Sequence, residues 1–213
     1  MGQKVNPIGY RMGTIYNWNS RWLFADKKSY KDSLLEDIKI RDGIMNKYQF
    51  AIVTKVEIER AINKVSLIIN AVKPGVLIGK GGKGVEEIRD FIVGIIGKDK
   101  VKKEKIKIDI KIEVVKKTNL NAYYIAHDVS EKLAKGLPHR RIVHQAIDRA
   151  REAGAIGIKI QLGGRIAGAS ISRVEKYFEG KVPLSTIKAD IDYASVPSLT
   201  RSGYIGVKVW VYK

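Results

Sequence analysis

The sequence contains no cysteine and no long uninterrupted run of apolar residues. The absence of cysteine excludes disulfides, iron–sulfur clusters and thiol catalysis, and it is typical of proteins in a reducing compartment. The longest apolar runs, such as FIVGII, are far shorter than the roughly 18 residues that a membrane-spanning helix needs. Because the first 13 residues also lack the apolar core of a signal peptide, we expect a cytoplasmic protein without a membrane partner.

Acidic residues are scarce relative to basic ones. The chain has 22 Asp and Glu against 40 Lys and Arg, which gives a formal net charge of +18. Both parts of the chain, divided after Thr118, keep an excess of basic residues. Charge that is spread over folded segments, and not confined to one tail, indicates a surface that faces a polyanion. We therefore predict a nucleic acid partner; the alternative is a basic protein without one.

The length of 213 residues predicts two compact units. Residues 1 to 28 are rich in glycine, aromatic and basic residues, and we expect them to form an extended arm. A first α+β unit is predicted for residues 29 to 118 and a second for residues 119 to 213. The fold class is therefore α+β.

The first unit is predicted to start with a helix that Ser29 caps and Gly43 interrupts. The segments AIVTKVEIER and KVSLIINAV follow and are typical of a β-hairpin. GVEEIRDFIVGII has the apolar spacing of a helix, and KIKIDIKIEVV alternates strictly between apolar and charged residues, as a strand does.

The second unit is predicted to place two helices on a mixed four-stranded sheet. The apolar stripe of its first helix comprises Ala122, Ile125, Ala126, Val129 and Leu133, and that of its second comprises Val143, Ala146, Ile147 and Ala150. The strands are predicted in GIKIQLGG, SISRVEKYFEG, KADIDYAS and YIGVKVWVYK. Packing the helices on the sheet would bury both stripes.

The stretch PGVLIGKGGKG, at residues 74 to 84, indicates a phosphate-binding loop. Its glycines satisfy GxGxxG, with Asp99 near the distance of a ribose-binding acid, but no long buried strand leads into the loop, as a dinucleotide site requires. A triphosphate-binding loop would need Ser or Thr after its GK pair. Neither nucleotide site is favoured, and we expect no cofactor.

A GxxG turn between two helices is the favoured interpretation of this loop. Glycines allow a sharp turn and let bare backbone amides approach a sugar-phosphate backbone, while lysines add charge. The order of helix, hairpin, short helix, GxxG and long helix resembles a KH domain of the prokaryotic type, whose GxxG loop clamps RNA. A purely structural corner is the alternative. The candidate RNA-binding residues are Gly79, Lys80, Gly81, Gly82 and Lys83.

Five ordered blocks extend the resemblance over nearly the whole chain: MGQKVNPIGYRMG, WNSRW, PGVLIGKGG, GIKIQLGGRIAGASISRVEKYFEGKVPLSTIKADIDYA and YIGVKVWVYK. They resemble the bacterial-type small-subunit ribosomal protein three family. The resemblance implies one copy in the head of the small subunit, bound to ribosomal RNA beside the second, tenth and fourteenth small-subunit proteins. It also implies a messenger RNA entrance shared with the fourth and fifth, on a bacterial or a plastid ribosome.

The resemblance assigns the messenger contact to the start of the second helix of the latter half, HRRIVH. Arg140 and Arg141 match two basic residues of the family, and His144 stands where the family pattern has lysine. At 100° per residue these side chains point away from the apolar stripe. Because histidine is mostly uncharged at neutral pH, we expect the third contact to be weaker. A solvated helix face without function is the alternative.

Further candidates for RNA contact are Lys4, Arg11, Arg21, Arg149, Arg165 and Arg173. Asp190 and Asp192 share one strand face, but no third ligand is evident and we expect no metal. No catalytic motif emerges, so an enzyme is not predicted. Two rivals stay open: a free KH-type RNA chaperone or regulator, and a nucleotide-dependent enzyme that uses the glycine loop.

Overall fold

The computed structural model describes residues 4–24, 26–61, 63–97 and 106–213, and the chain divides into two compact units. One is Trp18–Lys116, and the other joins the N-terminal segment up to Asn17 to Lys117–Lys213. The later boundary lies within two residues of the predicted one. The predicted arm, however, is divided between the two units.

Helices and strands are mixed in both units, which confirms the α+β class. The elements are, in chain order, α1 (Pro7–Tyr10), β1 (Ser20–Arg21), α2 (Lys27–Lys47), β2 (Val53–Ala61), β3 (Lys64–Ala71), α3 (Pro74–Ile78), α4 (Lys83–Ile96), β4 (Lys107–Val114), α5 (Ala122–Ala134), α6 (His139–Glu152), β5 (Gly157–Gly164), β6 (Arg173–Gly180), β7 (Ile191–Thr200) and β8 (Gly203–Tyr212). Within the described ranges, every helix is too short or too polar to span a membrane.

Helix α2 is continuous, and two predictions about it are wrong. Its cap is Asp26, whose carboxylate accepts a hydrogen bond from the backbone N–H of Ser29. Gly43 lies inside the helix, where a Cβ would come within 2.3 Å of the Phe91 ring. The glycine therefore serves close packing of α2 against α4 and does not end the helix.

The sheet of the first unit has the order β1-β2-β3-β4. Strands β2 and β3 form the predicted antiparallel hairpin, and β1 and β4 add to its two edges in parallel. A single core joins the sheet to the helices; among its members are Ile40, Ile44, Ile58, Leu67, Ile69, Ile88 and Ile92.

The later part of the predicted arm is fixed to this sheet by a buried carboxylate. Asp37 is fully buried and accepts hydrogen bonds from Ser20 Oγ at 3.0 Å and Trp22 Nε1 at 2.8 Å. Arg60 Nη2 lies 2.5 Å from the other Asp37 oxygen and neutralises the charge. This network explains why β1 pairs with β2 and does not extend away from it.

The sheet of the second unit has the order β6-β5-β8-β7 and is antiparallel throughout, so the prediction of a mixed sheet is wrong. Two of the three pairs, β5–β6 and β7–β8, join consecutive strands, and the central pair, β5–β8, is also antiparallel although β6 and β7 lie between its strands in the chain. Helices α5 and α6 contribute to one core with the sheet. Both predicted helical stripes are buried in that core, which confirms the predicted packing.

Candidate nucleic-acid interface

The glycine loop turns sharply between α3 and α4, which confirms the predicted turn between two helices. Gly79, Gly81 and Gly82 have φ angles of 66°, 65° and 84°. These conformations are readily available to glycine and strained for other residues. Three left-handed positions in four residues therefore require the glycines of this loop.

Gly84 allows α3 and α4 to meet backbone to backbone. A Cβ at Gly84 would lie 2.2 Å from the carbonyl oxygen of Leu77, and one at Gly79 would lie 3.0 Å from the backbone nitrogen of Gly84. Leu77 is fully buried beneath the turn. The loop is thus held rigidly from the protein side.

The outer side of the loop is open and basic. A Cβ at Gly81 or Gly82 would meet no atom within 4 Å, and the side chains of Lys80 and Lys83 are exposed. Helix α4 begins after Gly82 without a side-chain cap. The N–H of Lys83 donates to Lys80 O, and the next N–H groups of the first turn have no acceptor within the helix. This arrangement suits an anionic backbone, which the amides and lysines would attract.

The dinucleotide interpretation of the loop is not supported. A Rossmann loop follows a strand directly, whereas the residues before Gly79 form the short helix α3. Asp99, the acid of that interpretation, lies outside the described residues.

Helix α6 carries the second basic surface. Arg140, Arg141 and His144 are exposed, and the opposite side of the helix buries Ile142, Val143, Ala146, Ile147 and Ala150. The predicted outward direction of the three basic side chains is therefore confirmed. The His144 ring packs edge-on against Tyr177 of β6, with 5.8 Å between the ring centroids. We call Arg140, Arg141 and His144 the α6 basic face.

A carboxylate beside the α6 basic face escaped the sequence analysis. Glu175 accepts a hydrogen bond from Tyr177 Oη at 2.6 Å and lies 3.1 Å from His139 Nε2. The hydrogen bond from Tyr177 holds the pKa of Glu175 below its usual range. Partial burial of the carboxylate opposes this shift, and the nearby positive charges of His139, Arg173 and Arg140 add to it. The ionised carboxylate lowers the local positive potential and orients Tyr177 beneath His144.

Comparison with known proteins identifies both units. Residues 39–119 match a family described as KH domain, and residues 129–211 match one described as Ribosomal protein S3, C-terminal domain. Proteins named small ribosomal subunit protein uS3 from Shouchella clausii and Bacillus anthracis are 46% and 48% identical over 213 residues. Each alignment covers 100% of this chain and 93% of the relative. The chain belongs to the ribosomal protein S3 family.

This membership confirms the resemblance predicted from the sequence. The glycine loop lies within the segment that matches the KH domain, and the α6 basic face lies within the segment that matches the S3 C-terminal domain. Each of the two basic surfaces therefore belongs to a different family domain.

One predicted RNA contact in this S3-family chain is contradicted by the structure. Arg11 is fully buried and its guanidinium donates only to backbone carbonyl oxygens. These bonds go to Ala189 at 2.6 Å, Thr186 at 2.8 Å, Pro7 at 3.0 Å, Leu184 at 3.1 Å and Pro183 at 3.3 Å. Arg11 thus ties the N-terminal segment to the loop before β7, and it cannot reach RNA.

Two further candidates are engaged in ion pairs. Arg21 Nη2 lies 2.5 Å from Glu57 Oε2 and 3.1 Å from Glu59 Oε1. Arg149 Nη2 lies 2.6 Å from Asp128 Oδ2, which Lys132 also contacts. RNA would have to compete with these carboxylates for both arginines.

The remaining candidates, Lys4, Arg165 and Arg173, are exposed. Arg165 is also positioned by its neighbours, because Nε donates to Ala169 O at 2.8 Å and Nη1 to Ser202 O at 3.3 Å. Its contact with RNA, like that of Lys4 and Arg173, stays a prediction.

Asp190 and Asp192 serve the fold. Asp190 accepts a hydrogen bond from Tyr16 Oη at 2.6 Å, and Asp192 accepts from the backbone N–H of Ala122 at 3.1 Å, at the start of α5. Burial and these hydrogen-bonded carboxylates raise the pKa of Tyr16. Across the described part of the chain, no group of three or more acidic or histidine side chains could hold a metal ion.

Proposed function

We propose that this protein is a structural RNA-binding component of the head of the small ribosomal subunit. Full-length relatives named as small ribosomal subunit proteins support this assignment. The net charge of +18 supports it independently, because a component embedded in RNA must neutralise phosphates. The partners would be ribosomal RNA, messenger RNA and the neighbouring small-subunit proteins that the resemblance implies.

In this proposal the glycine loop holds the sugar-phosphate backbone of a single-stranded RNA segment. Its exposed glycines let the strand approach the backbone amides closely, and Lys80 and Lys83 add two charges. The loop performs no chemistry, and binding requires no nucleotide or metal.

The α6 basic face is proposed to line the messenger RNA entrance. The observation that carries this assignment is its outward orientation on a helix whose opposite side is fixed in the core. Arg140 and Arg141 would attract the phosphates of an incoming strand, and a strand held there is kept from re-pairing. Such passive unwinding needs only fixed positive charge.

The test replaces Arg140, Arg141 and His144 by alanine. Because all three are exposed, we expect folding and assembly to be unaffected. Ribosomes that carry this variant should translate unstructured messages at the normal rate and slow at a stable hairpin. The matched control is Lys181→Ala/Lys188→Ala, which removes two exposed charges from the same unit. Equal elongation rates through the hairpin for the variant, the control and the wild type would refute the messenger assignment.

A separate measurement tests the ribosomal assignment against a free RNA chaperone. A ribosomal component should sediment with small subunits in cell extract at high salt. Sedimentation as free protein under the same conditions would favour the chaperone.

A further inference from the structure

An open cleft of about 620 Å³ lies at the end of the second unit where α6 begins. Four segments form it: the turn between α5 and α6, the first residue of α6, the turn after β5 and the turn between β7 and β8. The residues that matter most here are Lys135, Gly136, His139, Arg165, Gly168 and Arg201.

The lining of the cleft is basic and contains no carboxylate. Three permanent cations, Lys135, Arg165 and Arg201, are among its lining residues, and no Asp or Glu of the described part of the chain lines it. The side chains of Lys135 and Arg201 make no ion pair or hydrogen bond with any residue that the structure describes. The carboxylate described above, that of Glu175, lies 3.1 Å from His139 Nε2 at the start of α6, whereas Lys135 and Arg201 have no such partner, so their positive charge would attract an anion.

Arg165 is prepared for such an anion. Its Nε and Nη1 atoms donate to the backbone oxygens of Ala169 and Ser202, which belong to two different turns. These bonds fix the guanidinium plane before any ligand binds and leave Nη2 available. Less entropy is therefore lost when the ligand binds.

The backbone around the cleft is compatible with negative charge. Helix α6 begins after Pro138 without a side-chain cap and without an acidic residue in its first turn. The carbonyl oxygens of Lys132 and Leu133, at the opposing end of α5, accept hydrogen bonds from the N–H groups of Leu137 and Gly136. The positive end of α6 is thus left open while part of the negative end of α5 is satisfied.

We propose that this cleft binds a phosphodiester group of RNA. Arg140 and Arg141 directly follow His139 along α6, so the basic residues of the cleft continue those of the α6 basic face. Among the residues that the structure describes, the imidazole of His139 is the one aromatic ring in the lining, so the usual platform for base stacking is lacking there. Contact would therefore be with the backbone and independent of base sequence. The proposal rests on the RNA-binding role proposed above, but not on the messenger assignment.

The test measures the affinity of the full chain for a short oligoribonucleotide that lacks bases, over a range of salt concentrations. Lys135→Gln/Arg201→Gln is the main variant, because neither side chain makes an ion pair or a hydrogen bond with another described residue. Loss of the one phosphate contact that the cleft provides should reduce the slope of log K against log salt by about 0.7. The matched control, Lys181→Gln/Lys188→Gln, removes the same charge elsewhere in the unit and should leave the slope close to that of the wild type.

Arg165 provides a second variant. Arg165→Gln should weaken binding of the same probe, and Arg165→Lys, which keeps the charge, should retain most of it. Equal losses of slope in the main variant and the control would overturn the proposal, because net charge alone would then explain binding. A loss of affinity for an oligoglutamate peptide with none for the RNA probe would also overturn it, in favour of an acidic protein.

The messenger assignment can fail separately. Suppose that ribosomes with the alanine variant of the α6 basic face translate through hairpins at the normal rate, while Lys135→Gln/Arg201→Gln still reduces the slope of log K against log salt. The proposal for the cleft would then be supported and the messenger assignment refuted. A slower rate at hairpins together with an unchanged salt slope in Lys135→Gln/Arg201→Gln would refute the proposal for the cleft alone.

Discussion

The glycine loop and the α6 basic face are both exposed and basic, yet they are built by opposite means. The loop depends on backbone conformation, since Gly79, Gly81 and Gly82 have positive φ angles and Gly84 leaves room for Leu77 O. The α6 face depends on helical periodicity and on packing against a distant strand, since His144 rests on Tyr177. The conformation of the glycine loop is therefore specified by its own residues, whereas the α6 basic face forms only when the whole unit folds.

This difference separates substitutions that damage the fold from those that damage only binding. In the loop, glycines carry the structure and lysines the charge. In the second unit, Arg11 is buried and stabilises the fold, whereas Arg140 and Arg141 lie on the surface. The residue type alone therefore does not predict the role of an arginine.

The largest effect is expected for Arg11→Met. Removal of the guanidinium leaves five buried or partly buried carbonyl groups with fewer donors, and we expect the free energy of unfolding of this unit to fall by about 4 kcal/mol. Denaturant unfolding of the full chain measures it. The control Lys4→Met removes an exposed charge of the same segment and should change little. If Arg11→Met left the stability unchanged and weakened RNA binding, the structural role would be refuted and an RNA contact by Arg11 supported.

Gly84→Ala should have the next largest effect. The added Cβ would overlap Leu77 O, and separating α3 from α4 should cost about 3 kcal/mol of unfolding free energy in the first unit. The control is Gly94→Ala in the same helix, where a Cβ meets no atom within 4 Å. That change should stabilise the helix by about 0.5–1 kcal/mol. If both substitutions changed the free energy of unfolding in the same direction, the close approach of α3 and α4 would be contradicted.

Lys80→Asp/Gly81→Asp should change binding and spare the fold. Aspartate tolerates the left-handed conformation of Gly81 better than most residues do, and both positions are exposed. We expect affinity for single-stranded RNA to fall about tenfold or more, with only a small decrease in melting temperature from the strain of a side chain at the φ of 65° of Gly81. Lys31→Asp/Lys39→Asp, on exposed positions of α2, changes the charge at least as much and should weaken binding less. Equal losses of RNA affinity in the two variants would show that the loop is a structural turn without a specific role in binding.

The smallest effect is expected for His144→Lys. Loss of the ring contact with Tyr177 should cost about 0.5 kcal/mol of unfolding free energy. The permanent charge should raise RNA affinity slightly or leave it unchanged, and His144→Gln serves as the uncharged control. Clearly weaker binding by the lysine variant would show that the imidazole itself contacts RNA.

Local patterns were sufficient to predict much of the fold. The hairpin, the glycine turn and the buried stripes of α5 and α6 follow from the spacing of apolar residues and from glycine chemistry. The interior position of Gly43 could not be predicted, because it depends on the Phe91 ring of another helix. The burial of Arg11 depends on carbonyl groups more than 170 residues away in the chain, and Glu175 reaches the α6 basic face only through the register of β6.

The salt dependence of RNA affinity tests the central claim, that two separately built surfaces both bind phosphates. It should be measured for the full chain, for Lys80→Asp/Gly81→Asp, for the alanine variant of Arg140, Arg141 and His144, and for the two combined. We expect a steep slope of log K against log salt for the wild type, a smaller slope for each variant, and losses that add in the combination. A wild-type slope near zero, or a slope that neither variant changes, would contradict the account.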